Sequence, residues 1–147
     1  MPMKACGTRA RSSTITLVED DTIQQELIEL ALAEAGLRVS LRCLRDGREA
    51  LAALRGWVSG ERDGPPDLLL LDIKLPGLTG IEILQTLRED GRPIPFPVVM
   101  LTSSRMPDDL THSFGSGAIS YFVKPDSFDE LIRLMDTIGR RWLDAGS

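Results

Sequence analysis

The sequence predicts an α/β protein with a doubly wound, five-stranded parallel sheet. Two observations carry this prediction. Short apolar runs alternate with longer amphipathic segments between residues 15 and 143, and strands that alternate with helices form βαβ units, whose right-handed crossovers build a parallel sheet. The third apolar run is four consecutive leucines at 68–71, as expected for a strand that is buried on both faces.

The five strands are predicted at 15–18, 39–44, 68–71, 98–101 and 119–123. Five helices are predicted between and after them, at 22–35, 46–59, 79–90, 106–115 and 127–143. Residues 60–66 are a polar loop rich in glycine and proline. We therefore expect one domain over 14–143, with a flexible tail at 1–13 and a short C-terminal tail at 144–147.

Helical periodicity predicts which side chains face the core. One stripe of the first helix contains Ile23, Leu27, Leu30 and Ala31. One stripe of the last helix contains Phe128, Leu131, Met135, Ile138 and Trp142. Asp46 and Ser127 are predicted helix N-caps, each with a glutamate three residues later, the spacing of a capping box.

Composition excludes several classes of protein. The chain has 147 residues, of which 42% are hydrophobic and 27% charged, which fits one globular domain. No apolar run approaches the roughly 20 residues of a membrane helix, and two cysteines are too few for a disulfide framework or a zinc site. The N-terminal stretch has no apolar core, so we do not expect it to be a secretory signal. The net charge of −5 argues against nucleic acid as a partner, since phosphate binding needs a basic face. We expect a cytoplasmic protein with no membrane partner.

Polar residues follow four of the five predicted strands, at the edge of a parallel sheet where ligands bind. They are Glu19, Asp20, Asp21, Asp72, Thr102, Ser103 and Lys124. Three consecutive acids repel one another unless a cation offsets their charge, and carboxylate oxygens suit Mg²⁺ or Mn²⁺. The alternative is that these acids only cap the first helix.

Asp72 is the most informative residue at this edge. An ionised carboxylate beside a metal ion can attack phosphorus and form an acyl phosphate. Lys124 can then pair with the new charge, and Thr102 can donate its hydroxyl to a phosphoryl oxygen. Taken one at a time, these residues also fit a turn carboxylate, a surface lysine and a strand-end hydroxyl.

Four segments together resemble the signatures of one family. LVEDD, LLLLDIKLPGLTG, VVMLTSS and YFVKP resemble, in this order, the receiver domain of two-component response regulators. The resemblance covers about residues 14–143. It implies a flavodoxin-like (βα)5 receiver fold with strand order 2-1-3-4-5.

The resemblance implies a role for each matching residue. Asp72 matches the aspartate that accepts a phosphoryl group from the histidine of a sensor kinase and becomes a 4-aspartylphosphate. Glu19 and Asp20 match the acidic pair that holds Mg²⁺ together with Asp72 and the backbone carbonyl of Lys74.

The resemblance further implies a conformational switch. Lys124 matches the lysine that reaches the phosphoryl group, and the bond between Lys124 and Pro125 matches the family's cis peptide. Thr102 and Tyr121 match the hydroxyl and the aromatic ring that change conformation together.

Partners also follow from the resemblance. The residues after Trp142 are too few for an output domain, so we expect a stand-alone regulator. Its 60–66 loop is similar to that of single-domain regulators associated with bacterial phytochromes, which makes a bacteriophytochrome a candidate sensor kinase. The face formed by the fourth helix, fifth strand and fifth helix, here called the 4-5-5 face, is expected to form a homodimer or bind targets.

Four other functions compete with this interpretation. A flavodoxin-like flavin carrier needs a phosphate-binding loop after the first strand, where this chain has three acids. A Walker-type hydrolase needs a glycine-lysine loop that is absent. A haloacid-dehalogenase-like phosphatase needs a second aspartate where this chain has Lys74, so we expect a phosphoacceptor with only self-catalysed phosphoryl transfer and slow autodephosphorylation, not an enzyme. A degenerate receiver that serves as a phosphorylation-independent scaffold is the fourth.

Overall fold

The computed structural model describes residues 13–143 and confirms the predicted fold class. Five parallel strands form one sheet in the order β2-β1-β3-β4-β5, as the family resemblance implies. Their bounds are β1 Ser13–Val18, β2 Val39–Leu44, β3 Leu68–Leu71, β4 Val98–Thr102 and β5 Ser120–Val123. The predicted tails lie outside the described residues, except that Ser13 belongs to β1.

Five helices cover the two faces of the sheet. Their bounds are α1 Thr22–Glu34, α2 Gly47–Ser59, α3 Gly80–Glu89, α4 Pro107–Gly115 and α5 Phe128–Trp142. One apolar core lies between the sheet and helices α1 and α5. A second core lies between the opposite face and helices α2 and α3. Among residues 13–143, no helix has both the length and the apolar character needed to cross a bilayer.

The helix caps explain where several helices begin. The side chain of Asp46 accepts a hydrogen bond from the backbone N–H of Glu49 at 2.8 Å, and that of Ser127 accepts one from Glu130 at 3.1 Å. Both predicted caps are therefore confirmed. The complete capping box lies instead at α3, where Thr79 and Glu82 bond each other's backbone N–H groups.

The predicted core stripe of α1 is wrong for two of its residues. Ile23 and Leu30 are 66% and 55% exposed. The buried residues of this helix are Ile28, Ala31 and Leu32, which have the same i, i+3, i+4 spacing on a neighbouring face. The apolar surface of this helix is therefore wider than one stripe, and packing against the sheet and α5 buries the side that contains Ile28, Ala31 and Leu32.

The stripe of α5 is confirmed at its centre. Leu131, Met135 and Ile138 are buried. Phe128 is exposed because it is the first residue of the helix, and Trp142 is half-buried with its ring edge against Phe122.

Strand register aligns the ends of the sheet. Val18 of β1 pairs with Leu71 of β3, and Thr102 of β4 pairs with Val123 of β5. Because the strands are parallel, the residues that follow these ends meet at one edge.

Candidate functional site

Three side chains from three strand ends meet at the carboxyl edge of the sheet. Glu19 follows β1, Asp72 follows β3 and Lys124 follows β5. The ammonium of Lys124 donates a hydrogen bond to Asp72 Oδ2 at 3.1 Å and another to Glu19 Oε1. The structure thus brings together residues that are separated by 105 positions in the chain.

Backbone hydrogen bonds fix these residues at the edge. The N–H of Asp72 donates to the carbonyl of Val18 at 3.2 Å, and the N–H of Lys124 donates to the carbonyl of Thr102 at 2.8 Å. Each residue therefore continues the ladder of its strand for one step, which fixes the backbone position from which its side chain projects.

The charges of Glu19, Asp72 and Lys124 act strongly on one another because both carboxylates are buried. Glu19 is 3% exposed and Asp72 is 6% exposed. Burial raises the pKa of Glu19 above its ordinary value, although the hydrogen bond and charge of Lys124 oppose this shift. Burial lowers the pKa of Lys124, but the hydrogen bond to Glu19 and the charge of Asp72 outweigh it and leave the lysine pKa raised. Lys124 therefore stays protonated and offsets the negative charge.

The remaining oxygens of the two carboxylates accept hydrogen bonds from nearby backbone. Asp72 Oδ1 accepts from the N–H of Ile73 at 2.7 Å, and Glu19 Oε2 accepts from the N–H of Asp21 at 3.1 Å. A carboxylate has about four lone-pair positions. Each group thus keeps capacity for a further partner.

Glycine at position 80 lets the loop after β3 close against Asp72. A Cβ at Gly80 would lie nearer than 3.0 Å to the carbonyl oxygen of Asp72. The N–H of Gly80 donates to the carbonyl of Ile73 at 2.9 Å. The start of α3 therefore rests directly on the backbone that carries the Asp72 side chain.

The acidic residues after β1 have different positions. Glu19 is buried, whereas Asp20 and Asp21 are exposed. Asp21 caps α1, because its side chain accepts from the N–H of Ile23 at 2.9 Å. The helix-capping alternative thus holds for Asp21.

The donor set fits a hard divalent cation. Glu19 and Asp72 supply buried carboxylate oxygens, Asp20, next to Glu19 in the chain, supplies an exposed one, and hard cations prefer such ligands. Within 13–143, however, no three acidic, histidine or cysteine residues converge as a ready cage. Lys74, the other expected ligand through its carbonyl, has an exposed side chain.

The two expected switch residues meet at a residue that the sequence analysis did not single out. Thr102 is fully buried, and its Oγ1 accepts a hydrogen bond from the N–H of Ser104 at 3.3 Å. The half-buried Tyr121 donates its hydroxyl to the carbonyl of Ser104 at 2.9 Å. Sequence offered one signal for this residue, the run of three hydroxyl side chains at 102–104.

One expectation from the resemblance is wrong. The peptide bond between Lys124 and Pro125 is trans, as is every peptide bond among residues 13–143. The trans form is the preferred one for bonds before proline by about 0.5–1 kcal/mol.

The fold and this edge of the sheet define a receiver, and comparison with known proteins agrees. The family model described as response regulator receiver domain matches residues 15–136. The chain belongs to this family, whose general function is to be phosphorylated by a kinase.

Individual relatives share most of the chain. It is 38% identical to the probable methanogenesis regulatory protein FilR2 of Methanothrix harundinacea over 88% of its own length and 83% of the relative's. It is 33% identical to the phosphorylated cyanobacterial phytochrome response regulator RcpA, with a TM-score of 0.77, 93% of this chain covered and 100% of the other. It is 30% identical to the Mn²⁺-bound form of response regulator Rcp1, with a TM-score of 0.75, 92% of this chain covered and 97% of the other. The Rcp1 of Synechocystis sp. is 32% identical over 88% of each chain. Several transcriptional regulators also match, and the chain spans about half of their length.

Proposed function

We propose that Asp72 is the phosphoacceptor of this receiver. The observation that carries the proposal is the buried carboxylate of Asp72 at the end of β3, held 3.1 Å from the ammonium of Lys124. A carboxylate oxygen of Asp72 attacks the phosphorus of a phosphohistidine on a sensor kinase. The new O–P bond replaces the P–N bond, and the imidazole leaves with a proton. The chain is not an enzyme in the ordinary sense, because it is itself the product of this step.

The surrounding residues stabilise the added charge. Lys124 pairs with the phosphoryl oxygens as a point cation. The Thr102 hydroxyl can donate a hydrogen bond to a phosphoryl oxygen, since the bond from the Ser104 N–H uses only a lone pair of the hydroxyl oxygen. Glu19, Asp20, Asp72 and the carbonyl of Lys74 would hold Mg²⁺, which neutralises charge on the transferring group when it is bound. The Mn²⁺-bound relative Rcp1 supports a divalent cation here.

Phosphorylation by a small donor tests this proposal. Pure protein incubated with acetyl phosphate and Mg²⁺ is expected to gain the mass of one phosphoryl group, read by intact-mass spectrometry. Without Mg²⁺, or in Asp72→Asn, the gain is expected to disappear while the circular dichroism spectrum stays unchanged. Absence of any gain in the wild type would support a phosphorylation-independent scaffold, and undiminished labelling of Asp72→Asn would point to another acceptor.

We infer that the kinase partner is of the phytochrome type and that the chain works in the cytoplasm. The similarity to a phytochrome response regulator over 93% of this chain supports this partner. Phosphotransfer from a purified phytochrome kinase is expected to be at least tenfold faster than from an unrelated sensor kinase. Equal rates from both would contradict the pairing.

The 4-5-5 face is our candidate for a homodimer. Met106, Leu110 and Phe114 are exposed and spaced four residues apart along α4, which places them in one apolar row. Ile119, just before β5, is also exposed. We expect mass measurement in solution to find a dimer at high concentration, and Phe114→Glu to make it monomeric. A wild-type monomer at every concentration, with and without phosphorylation, would exclude this interface.

A further inference from the structure

Helix α4 differs from the other helices in how it is attached to the body of the protein. Its buried residue is a serine, Ser113, and the residue that follows the helix, Ser116, is also buried. Its large apolar residues are exposed instead. Apolar burial, which is the main source of stability for most helices, therefore contributes little here, and hydrogen bonds must hold α4 in place.

Hydrogen bonds at both ends of α4 provide this attachment. At the C-terminal end, the guanidinium of Arg88 on α3 donates to the carbonyl of Gly115. At the N-terminal end, the hydroxyl of Ser104 donates to Asp109 Oδ2 at 2.5 Å and accepts from the N–H of Met106 at 3.3 Å. Met106, the N-cap residue, makes no side-chain cap of its own, so Ser104, bonded to the N–H of Met106 and to the Asp109 carboxylate, ties the start of the helix to the loop that precedes it.

Ser104 also contacts both expected switch residues through its backbone. Its N–H donates to Thr102 Oγ1, and its carbonyl accepts from the Tyr121 hydroxyl. Ser104 itself is 6% exposed. All its polar groups are therefore engaged, with the backbone bonded to the switch and the side chain bonded to α4.

We propose that Ser104 and Asp109 form a latch that couples Thr102 and Tyr121 to α4. A displacement of the switch hydroxyl moves the backbone of Ser104, and the side-chain bond to Asp109 passes that movement to the helix. Ser104 and Asp109 are positioning residues, because neither touches the phosphoryl group. This inference rests on the proposed function, in which Thr102 responds to charge on Asp72.

The test compares two signals within one protein. Tyr121 is the only tyrosine in the chain, so its ring resonances report the switch alone, while backbone amide resonances report α4. Beryllofluoride with Mg²⁺ serves as the phosphoryl mimic. In the wild type, both sets of resonances are expected to shift. In Ser104→Ala and Asp109→Ala, the Tyr121 shift is expected to persist and the α4 shift to be lost.

Matched variants separate the latch from general damage. Asp108→Ala removes an exposed first-turn aspartate next to Asp109, and it is expected to respond as the wild type does. Asp109→Asn keeps an oxygen that accepts from Ser104, so it is expected to restore most of the α4 shift.

Hydrogen exchange without any phosphoryl mimic gives an independent measure. Loss of a hydrogen bond to a charged group is expected to speed exchange in the first turns of α4 by roughly tenfold in both latch variants. The double variant is expected to be no faster than Ser104→Ala, since that single variant already removes the bond to Asp109 together with the acceptor of the Met106 N–H. An unchanged α4 shift in the latch variants, or exchange equal to that of the matched control, would overturn the latch. A wild type without any response to beryllofluoride would refute the proposed function, and exchange would still show whether Ser104 and Asp109 hold α4.

Discussion

Thr16 tests how much a buried hydroxyl without a hydrogen-bond partner costs this protein in stability. It lies in the middle of β1, is fully buried, and its hydroxyl has no hydrogen-bond partner among the described residues. Alternation along the strand places its side chain on the same face as Val18, which packs in the core beneath α2 and α3. The hydroxyl is therefore a polar group held among apolar side chains.

Replacing Thr16 with valine is expected to stabilise the protein. Valine has nearly the same shape and keeps the β-branch that suits a strand. A buried polar group without a partner costs about 1–3 kcal/mol, so the free energy of unfolding is expected to rise by about 1–2 kcal/mol. For a protein of this size each kcal/mol corresponds to about 2–4 °C in Tm, which gives an increase of about 4 °C.

Thr102→Val is the matched comparison, because Thr102 is equally buried but its hydroxyl accepts from the Ser104 N–H. Removing that acceptor leaves a buried N–H unpaired, and a loss of about 1–2 kcal/mol is expected. Both variants can be measured by urea denaturation followed by tryptophan fluorescence, since Trp57 is buried in the folded protein. If Thr16→Val lowers the stability as Thr102→Val does, the Thr16 hydroxyl has a partner and the reasoning is wrong.

Three further predictions concern the site and the core. Gly80→Ala is expected to lower both the stability and the rate of labelling by acetyl phosphate, because the new Cβ overlaps the Asp72 carbonyl. Gly115→Ala is the control, since a Cβ there meets nothing within 4 Å. Equal effects of the two substitutions would contradict this prediction. Lys124→Ala is expected to keep labelling, to lose the conformational response and to cost about 2–4 kcal/mol at pH 7, because two buried carboxylates lose their cation. Burial already raises the pKa of one of these carboxyls, Glu19. The variant is therefore expected to recover stability as the pH falls and Glu19 binds a proton. An equal loss in the free energy of unfolding at pH 7 and pH 5 would refute this. Burial raises the pKa of the Cys43 thiol, so thiol reagents at pH 8 are expected to react with it more slowly in the folded than in the unfolded chain, measured with the other cysteine replaced by serine.

The order and type of the elements could be predicted because their signals are local. The four leucines of β3 and the capping residues Asp46 and Ser127 act within a few positions of the chain. The core stripe of α1 could not be predicted with the same success. Ile23 and Leu30 are as apolar as Ile28 and Leu32, and only the packing partner decides which stripe is buried.

The residues of the site could be predicted from the sequence, but the contacts between them could not. The sequence indicated that Glu19, Asp72, Thr102 and Lys124 share an edge, since residues after parallel strands converge. It did not indicate that one ammonium contacts both carboxylates, because that contact depends on the register of β1, β3 and β5.

The sequence by itself determined the fold class, the family and the set of polar residues at the strand ends, because periodicity and short motifs are written in neighbouring positions. The tertiary structure alone decided the burial of Glu19, the contact of Lys124 with two carboxylates and the position of Ser104 between the switch and α4. These features depend on distances between side chains that are far apart in the chain or that face different elements. A sequence pattern does not specify these distances, because they are set by how the helices and strands pack.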